Sequence, residues 1–458
     1  YVYTASGALN ITGAVTNDSG SYVYTTSGGA IHFLNNVTNQ NGSYINSAGN
    51  ITLDGTLLNQ NGAQIYTNAN SSTLTITGTT TNTGGAIISN GYTSSIVFGG
   101  NVTNSNGAQL IRGSTGTMSV AGDFTNATGS SLIGSSGNWD FNGSFSNDAN
   151  SSVTATSGDW YIAENFTNNA PASGSPSFAH HNGTIIFDSA NNAAIFGDTT
   201  FYNFECTTVG KSLIFDAGST QNITGEFVIT GTSSQPIVLE SNSVGSEFYI
   251  DPSGTRSVEH AAVRDSNNIN ASAIVAYNSI DNHGNTNWVF SDLTITAVVH
   301  GQGTISPSGV VEVSPNSDNT YYFAANTGYH VDDVQVGIDG DVLTSVGKVD
   351  RYTFTNVTIS MRVEVTFAAN WAEDTIAANV DGDKENGSIY GDTLTYLSNR
   401  TGINQVYLYN LSTKTETRIT SVYEAMSDPR IYGNYIVWDA LITAGNRDVF
   451  LYNISTGI

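Results

Sequence analysis

The chain has 458 residues, a formal net charge of −25 and only 13 lysine and arginine residues. So few cations cannot neutralise a run of phosphates, which argues against a nucleic-acid partner, and the absence of a basic cluster argues against anionic lipid. No apolar run approaches the ~18 residues of a membrane-spanning segment. Composition therefore excludes these classes and leaves an acidic, polar surface.

The first third of the chain is a repeat of about 22 residues. Each repeat carries two apolar residues separated by one residue, then usually a glycine, and then a further apolar residue. An asparagine ends each repeat, and the eight asparagines are Asn17, Asn39, Asn59, Asn82, Asn104, Asn126, Asn147 and Asn168. A fixed period of this length is typical of solenoids. The apolar alternation inside each repeat has the period of a β-strand. The sequence therefore predicts that each repeat is one coil of a β-solenoid.

Three columns of equivalent residues give this prediction detail. The second half of each repeat supplies an inward apolar column: Val23, Ile45, Ile65, Ile88, Leu110, Leu132 and Val153. The glycines fit a corner that needs either a positive φ or a close backbone approach: Gly13, Gly55, Gly78, Gly100, Gly122 and Gly143. The asparagines could bind a ligand. Stacked at the ~4.8 Å coil spacing, however, they favour a ladder of side chains that bond each other and the turns.

Strand-like runs continue to residue 290 with a degenerate pattern. The run from Gly197 to Phe204 and the ending from His260 to Phe290 resemble the closing coils of secreted right-handed β-helix proteins. Residues 1–290 as a whole resemble that family, close to adhesins and autotransporter passengers. The resemblance implies an all-β right-handed β-helix and an extracellular location.

Residues 291–369 change character. Hairpin-like runs such as Leu293 to Gly309, Gly328 to Val336 and Tyr352 to Phe367 resemble the small "bacterial repeat" module similar to the internalin B-repeat. The resemblance implies a β-grasp-like spacer that has no catalytic role.

Residues 370–458 contain a second repeat. Gly391 to Tyr396 followed by Val406 to Thr413 recurs as Gly433 to Trp438 followed by Val449 to Thr456. This pattern is similar to the TolB-type propeller repeats of archaeal, especially methanogen, surface proteins. It implies two blades of an incomplete β-propeller, because a propeller normally closes with at least four blades.

Catalysis by a β-helix enzyme needs carboxylates and cations gathered on one face. The acidic residues of the first coils fall in different columns: Asp54, Asp123, Asp140, Asp159 and Glu164. Arg112 is the only lysine or arginine in the first 210 residues, and cleavage of an acidic sugar without a cation is disfavoured. A polysaccharide lyase or hydrolase is therefore the least favoured function, and we expect no enzyme activity.

Metal and cofactor signals are weak. Asp381, Asp383 and Glu385 alternate before Gly387, which is similar to the start of a Ca²⁺ loop but lacks the distant bidentate glutamate. The pair His180-His181 has no further ligand at a recognisable spacing, and an insertion loop is the better interpretation. We expect no cofactor other than this Ca²⁺ candidate.

The single cysteine and two of the tryptophans are predicted to lie in the core. Cys206, the only cysteine, stands in an apolar strand, where a small buried hydrophobe is more common than a nucleophile. Trp139 and Trp160 occupy equivalent inward positions, so a core stack is favoured over a sugar-binding platform. Tyr22, Tyr44 and Tyr161 are better candidates for an exposed aromatic face.

The chain contains 19 Asn-x-Ser/Thr sequons. Candidates for N-glycosylation are Asn36, Asn101, Asn165, Asn222, Asn399 and Asn410, and the first three follow the corner column on its outward side. These sites favour an extracellular glycoprotein.

The leading hypothesis is a non-catalytic structural surface protein: a component of a sheath, S-layer or filament, or an adhesive stalk. The alternative is an adhesin that binds carbohydrate or a cell surface. The chain begins inside a coil, since Tyr1 to Gly7 matches Tyr22 to Gly28. An uncharged edge strand invites strand addition, so we expect the Tyr1 end to be covered by further coils or by another subunit. Head-to-tail association of subunits would give a filament.

Overall fold

The structure is a computed structural model that describes residues 1–91, 93–113, 115–170, 178–370, 382–425 and 428–458. Throughout these residues the chain is all-β and contains no helix. It divides into two compact units, Tyr1–Ala368 and Ala369–Ile458. The first unit contains the predicted solenoid, and the boundary of the second lies next to the predicted boundary at residue 370.

The solenoid is of the right-handed type with about 22 residues per turn, as the sequence predicts. Successive coils add parallel strands to four sheets. The first sheet consists of Val2–Thr4, Tyr22–Thr25, Tyr44–Ser47, Gln64–Thr67, Ile87–Asn90, Gln109–Ile111, Ser131–Ile133, Ser152–Thr154 and Phe178–Ala179. The second sheet consists of Ala8–Ile11, Ala30–Phe33, Ile51–Leu53, Thr73–Ile76, Ser95–Phe98, Met118–Val120, Trp139–Phe141, Asp159–Ile162, Thr184–Ile186, Asn203–Cys206, Glu226–Thr230, Thr255–Glu259, Ile274–Tyr277 and Trp288–Ser291.

The third sheet consists of Val15–Asn17, Val37–Asn39, Leu57–Gln60, Thr80–Thr83, Val102–Asn104, Phe124–Asn126, Phe145–Asn147, Phe166–Asn168, Ala193–Phe196, Ser212–Phe215, Ile237–Ser241, Ala261–Arg264 and Ile280–Asp281. A fourth sheet follows the first in chain order and consists of Thr199–Phe201, Thr220–Ile223, Phe248–Pro252 and Ser266–Asn268. The change from the first to the fourth sheet coincides with the decay of the sequence repeat.

The core runs along the inside of the solenoid because alternate residues of every strand point inward. The predicted inward column is confirmed: Val23 pairs with Ile45, and each further member pairs with its successor up to Val153. One apolar cluster extends from Val23 to Ala276. Each coil therefore buries its apolar face against its neighbours, which is how solenoids gain stability.

The predicted glycine column reflects close approach, and not a positive φ, at every position except Gly13, where a Cβ would have no neighbour within 4 Å. None of the six glycines has a positive φ. A Cβ on Gly55 would lie 2.4 Å from Asn36 Oδ1, and one on Gly122 would lie 2.0 Å from Asn101 Oδ1. Positive φ values occur instead in the turns before the first sheet, at Gly20, Gly42, Gly62, Gly85, Gly107 and Gly129.

Residues 293–369 form two further sheets. One has the strand order Gly309–Glu312, Thr294–His300, Met361–Ala369, Tyr329–Ile338 and Thr344–Gly347. The other has the order Gly303–Ser306, Ser317–Ala325 and Arg351–Val357. Their core is separate from that of the solenoid. Asn278 of the last coils joins the two parts, since its Nδ2 donates to Val313 O at 3.2 Å and its Oδ1 accepts from Leu293 N at 2.8 Å.

The second unit contains two antiparallel sheets that match the predicted internal repeat. In the first, Lys384–Tyr390, Thr393–Ser398, Gln405–Asn410 and Thr415–Arg418 follow each other as a meander. In the second, Tyr435–Thr443 pairs with Glu424–Ala425, Arg430–Tyr432 and Asn446–Asn453. Leu397 and Val406 of the first sheet share a small core with Ile436 and Trp438 of the second.

Candidate functional surfaces

The asparagine ladder is present over its predicted length. From Asn17 to Asn147, each Nδ2 donates to the Oδ1 of the next asparagine in the column, at 2.8 to 3.0 Å. The same amides also donate to backbone carbonyls, as Asn104 does to Ser131 O at 3.0 Å. The ladder ends where Asn168 Nδ2 donates to Thr199 Oγ1 and Asp198 O, both at 3.2 Å. Since these side chains are buried, they tie the coils together and offer no ligand surface.

A second set of asparagines lies at the outer corners of the coils. Asn36 Oδ1 accepts from Thr56 N at 2.9 Å, and Asn101 Oδ1 accepts from Asp123 N at 3.1 Å. Asn165 Oδ1 accepts from the backbone N of Ala194 at 2.8 Å. Each of these amides therefore bridges to the following coil, and Gly55 and Gly122 leave room for Asn36 and Asn101.

The remaining sequon candidates have other partners. Asn222 is half-buried, and its Nδ2 donates to Thr200 Oγ1 at 3.4 Å. Asn399 is exposed and contacts Asp383 through both amide atoms, at 3.0 and 3.3 Å. Asn410 is half-buried, and its Oδ1 accepts from Thr413 N at 2.8 Å. All six predicted sites have some access to solvent, and their glycosylation stays a prediction.

Tyrosines stack along the outer face of the first sheet. Tyr22 lies between Tyr1 and Tyr44, with ring centroids 5.1 and 4.9 Å apart and planes within 6°. Tyr3 and Tyr24 form a parallel second stack at 5.3 Å. Stacked rings cover each other's faces, so the ring edges face solvent. The outward position predicted for Tyr22 and Tyr44 is correct.

An acidic patch surrounds Tyr161 on the outer face of the second sheet. Tyr161 Oη lies 3.5 Å from Asp159 Oδ2, and burial followed by the charge of Asp159 raises the tyrosine pKa. Burial and the charge of Asp188 raise the pKa of Asp140, while burial followed by Asp159 raises the pKa of Glu205. The pKa shifts of this patch arise from desolvation and like charge, without a neighbouring cation among their causes.

The backbones of Asp140 and Glu205 lie farther apart than the paired carboxylates of a glycoside hydrolase. Asp140, Tyr161, Ile186 and Glu205 occupy one outward column on successive strands. Three strand spacings place the Asp140 and Glu205 backbones ~14 Å apart. Glycoside hydrolases hold their two carboxylates roughly 5 to 9.5 Å apart. Asp54, another of the five acidic residues considered from the sequence, contacts His32 Nε2 through Oδ2 at 2.8 Å.

Corner positions account for two more acidic residues. Asp123 Oδ1 accepts from Ser144 N at 2.9 Å, so this carboxylate bridges two coils in the manner of the corner asparagines. Glu164 Oε2 accepts from Ser144 Oγ at 3.3 Å. Both carboxylates therefore have structural partners.

The predicted core assignments are correct. Trp139 and Trp160 are buried with ring centroids 4.4 Å apart, so neither is a platform for a ligand. Cys206 is also buried, and desolvation raises its thiol pKa to about 11. Such a thiol is protonated at neutral pH and unreactive.

Two buried cations were not predicted as such. Lys211 is 0% exposed, and its Nζ donates to Ser189 O at 2.8 Å, Asn191 O at 2.5 Å and Ala163 O at 3.3 Å. Arg112 is 2% exposed, and within the described residues its guanidinium nitrogens make no hydrogen bond. Desolvation lowers the Arg112 pKa to about 10. Their burial could not be predicted from the sequence, because lysine and arginine are rarely buried.

The structure describes two of the three candidate metal ligands. Asp381 lies outside the described residues. Asp383 is exposed beside Asn399, and Glu385 is exposed within the strand Lys384–Tyr390. Over the described part of the chain, no three histidine, cysteine, aspartate or glutamate side chains are grouped to hold a metal ion.

The histidine pair lies beside residues 171–177, so most of the predicted insertion loop falls outside the described residues. His180 stacks on Tyr202 with ring centroids 5.7 Å apart. Burial, followed by the nearby His181, lowers the His180 pKa. In the described ranges there is also no helix long and apolar enough to cross a membrane.

Comparison with known protein families, curated proteins and solved structures found no match to this chain. The resemblances drawn from its motifs therefore stay predictions beyond the β-solenoid itself.

Proposed function

We propose that the chain is an extracellular structural surface protein without catalytic activity, in a sheath, S-layer, filament or adhesive stalk. The observation that carries this proposal is the unbroken asparagine ladder from Asn17 to Asn168, which runs beside a continuous core. From Asn17 to Asn168, each coil is bonded to the next through backbone and side chain. A mechanical load along the solenoid is therefore shared by many parallel contacts.

The composition of the outer surface supports the same proposal. Hydroxyls and amides dominate it, and charged residues make up only 11% of the chain. The single cysteine excludes an internal disulfide, so stability outside a cell must come from stacked coils. The two later modules fit this assignment as a β-grasp-like spacer and propeller-like blades, as their motifs imply. N-linked glycans would complete such a surface.

Localisation tests this proposal most directly. Intact source cells would be treated with a non-permeant biotin reagent, and the labelled protein would be identified by mass spectrometry. We expect labelling on intact cells at the level of lysed cells. In parallel, the purified chain would be incubated with neutral and acidic polysaccharides. Labelling only after lysis, or turnover of a polysaccharide at enzymatic rates, would overturn the proposal.

We also propose that copies of the chain associate head to tail. The strand Val2–Thr4 has no partner on its outer side within the described residues, and Tyr1 and Tyr3 are 86% and 62% exposed. A strand placed there, from further coils of the chain or from a second copy, would extend both tyrosine stacks and pair the open backbone groups. Light scattering should show concentration-dependent assembly that Tyr3→Lys weakens and that Tyr432→Lys, at an exposed position in the second unit, leaves unchanged. A monomer at all concentrations would contradict this part.

The second candidate is a carbohydrate-binding adhesin. Gln64 continues the column of Tyr22 and Tyr44, and Asn46 continues that of Tyr24, so hydroxyls and amides line one flat face. Sugars are bound by such groups, although the stacked rings leave few open faces for a sugar ring. A glycan array probed with the chain and with its Tyr44→Ala, Gln64→Ala variant decides this case. Silence of the folded chain on the array would remove the adhesin.

A further inference from the structure

We infer that the outer corners of the solenoid carry N-linked glycans on four asparagines that share one bonding geometry: Asn36, Asn101 and Asn165 before strands of the third sheet, and Asn50 before a strand of the second sheet. Each begins an Asn-x-Thr sequon. Each is exposed or half-buried. The inference deepens the proposed function, because it rests on an extracellular location, and it selects these four from the 19 sequons.

The shared geometry is a bridge through the amide oxygen alone. Asn50 Oδ1 accepts from Thr73 N at 2.9 Å, as Asn36, Asn101 and Asn165 do from the coils that follow them. Within the described residues, the Nδ2 atoms of these four residues donate no hydrogen bond. Since the amide is planar, Nδ2 lies on the side away from the bridging bond. The atom that a glycan modifies is therefore left available by the same contact that fixes the side chain.

The structure excludes other sequons by the same reasoning. Asn17 and Asn126 also begin sequons, but both are buried and both donate through Nδ2 to the next ladder asparagine at 2.8 Å. A glycan there would break the ladder and could not fit between coils. The sequon alone cannot separate these two groups, whereas the bonding of Nδ2 does.

The reaction is a glycosyl transfer. The donor is an oligosaccharide joined through its anomeric carbon to a lipid-linked phosphate or pyrophosphate. A bond forms between Nδ2 and the anomeric carbon, the carbon–oxygen bond to the phosphate breaks, and one Nδ2 proton is lost to a base of the transferase. Oδ1 keeps its lone pairs, so the bridge to the next coil survives the modification.

The test is secretion of the full chain from a eukaryotic host that performs N-glycosylation. Enzymatic release of the glycans in ¹⁸O-water, followed by peptide mass spectrometry, would mark each occupied asparagine. We expect occupancy at the four corner residues and none at Asn17 or Asn126. Because the host imposes secretion, this result is independent of whether the native protein is extracellular. Labelling of source cells tests that question separately.

Two variants of one site separate the glycan from the bridge. Asn36→Asp keeps an acceptor oxygen, and Asp123 already fills an equivalent corner with its Oδ1 accepting from Ser144 N at 2.9 Å. Thr38→Val leaves Asn36 in place and removes the sequon. Both variants should lose the mass of one glycan and remain folded by circular dichroism. Empty corner sites in a secreted, folded chain, or occupied ladder sites, would overturn the inference.

Discussion

The coils before residue 170 and those after residue 178 build the same solenoid by different means. In the earlier coils the same contacts recur. An asparagine in each coil bonds the asparagine of the next coil, and a valine, isoleucine or leucine fills the same core position. In the later coils the buried polar residues differ from coil to coil and include Lys211, Gln221, Glu259 and Asp265. The later coils therefore depend on individual contacts.

This difference shows how a solenoid can diverge and remain stable. A ladder spreads its bonds over all its members, so the structure at one coil is repeated at the next. The Lys211 ammonium, by contrast, donates to three backbone carbonyls of two earlier coils. Within the described residues, the neighbouring coils have no equivalent contact. We expect single substitutions to have larger effects where the contact is unique.

The largest expected effect is that of Lys211→Met. The change removes the buried ammonium and leaves three part-buried backbone carbonyls without their side-chain donor, with a loss of about 3 kcal/mol in the free energy of unfolding. Urea denaturation of the full chain measures it. The control is Lys348→Met, which removes an exposed lysine that pairs with Asp332 and should change little. Equal midpoints for Lys211→Met and the native chain would contradict the comparison.

A smaller loss is expected for Asn104→Ala in the middle of the ladder. The change removes the bond accepted from Asn82 and the bonds donated to Asn126 and to Ser131 O. We expect a loss of about 2 kcal/mol, because a buried amide of each neighbour loses a partner. Asn17 stands at the end of the ladder, where it donates to Asn39 but accepts from no other ladder residue. Asn17→Ala should therefore lose less free energy of unfolding than Asn104→Ala. Equal losses would show that the ladder does not act as a series of paired bonds.

The third substitution should increase stability. Arg112 departs from the repeat of the earlier coils, because its guanidinium is buried and makes no hydrogen bond in the described structure. Arg112→Met keeps the apolar stem and removes the buried charge, and we expect a gain of about 1 kcal/mol. Arg256→Met is the matched control, since Arg256 donates to Pro252 O and Ser272 O and should lose stability on substitution. A loss for Arg112→Met would mean that the guanidinium has a partner in solution.

The regular coils could be read from the sequence because their neighbours in space are equivalent residues in the repeat. The period alone was enough to place the asparagine ladder, the core column from Val23 to Val153, and the stack of Trp139 on Trp160. Once the coil length is known, alternation assigns each side chain to the inside or the outside.

The remaining features depend on contacts that no period encodes. Lys211 contacts a carbonyl 48 residues earlier, in coils whose repeat has decayed. The acidic patch around Tyr161 forms only once the strand register aligns Asp140 and Glu205 in one column. The sequence left two alternative explanations for the corner glycines, and only coordinates show which atoms exclude a Cβ: an asparagine side chain at Gly55 and Gly122, and the backbone of the preceding coil at Gly78 and Gly100.

The smallest effect concerns the charge of that patch and depends on pH. Glu205 has a pKa raised from its ordinary value of 4.5 by burial and then by Asp159 and Glu226. The folded chain therefore holds this proton to a higher pH than the unfolded chain does, and the stabilisation present below pH 4.5 is lost as the pH rises through the folded value. Glu205→Gln removes the charge, so it should raise the melting temperature at pH 7, by an amount that shrinks as the pH falls through the folded pKa and is lost below pH 4.5. Glu312→Gln, at an exposed position in the small module, should give no such trend. A melting temperature at pH 7 that falls in Glu205→Gln would mean that the folded chain stabilises the Glu205 carboxylate, which contradicts a pKa raised by burial and like charge.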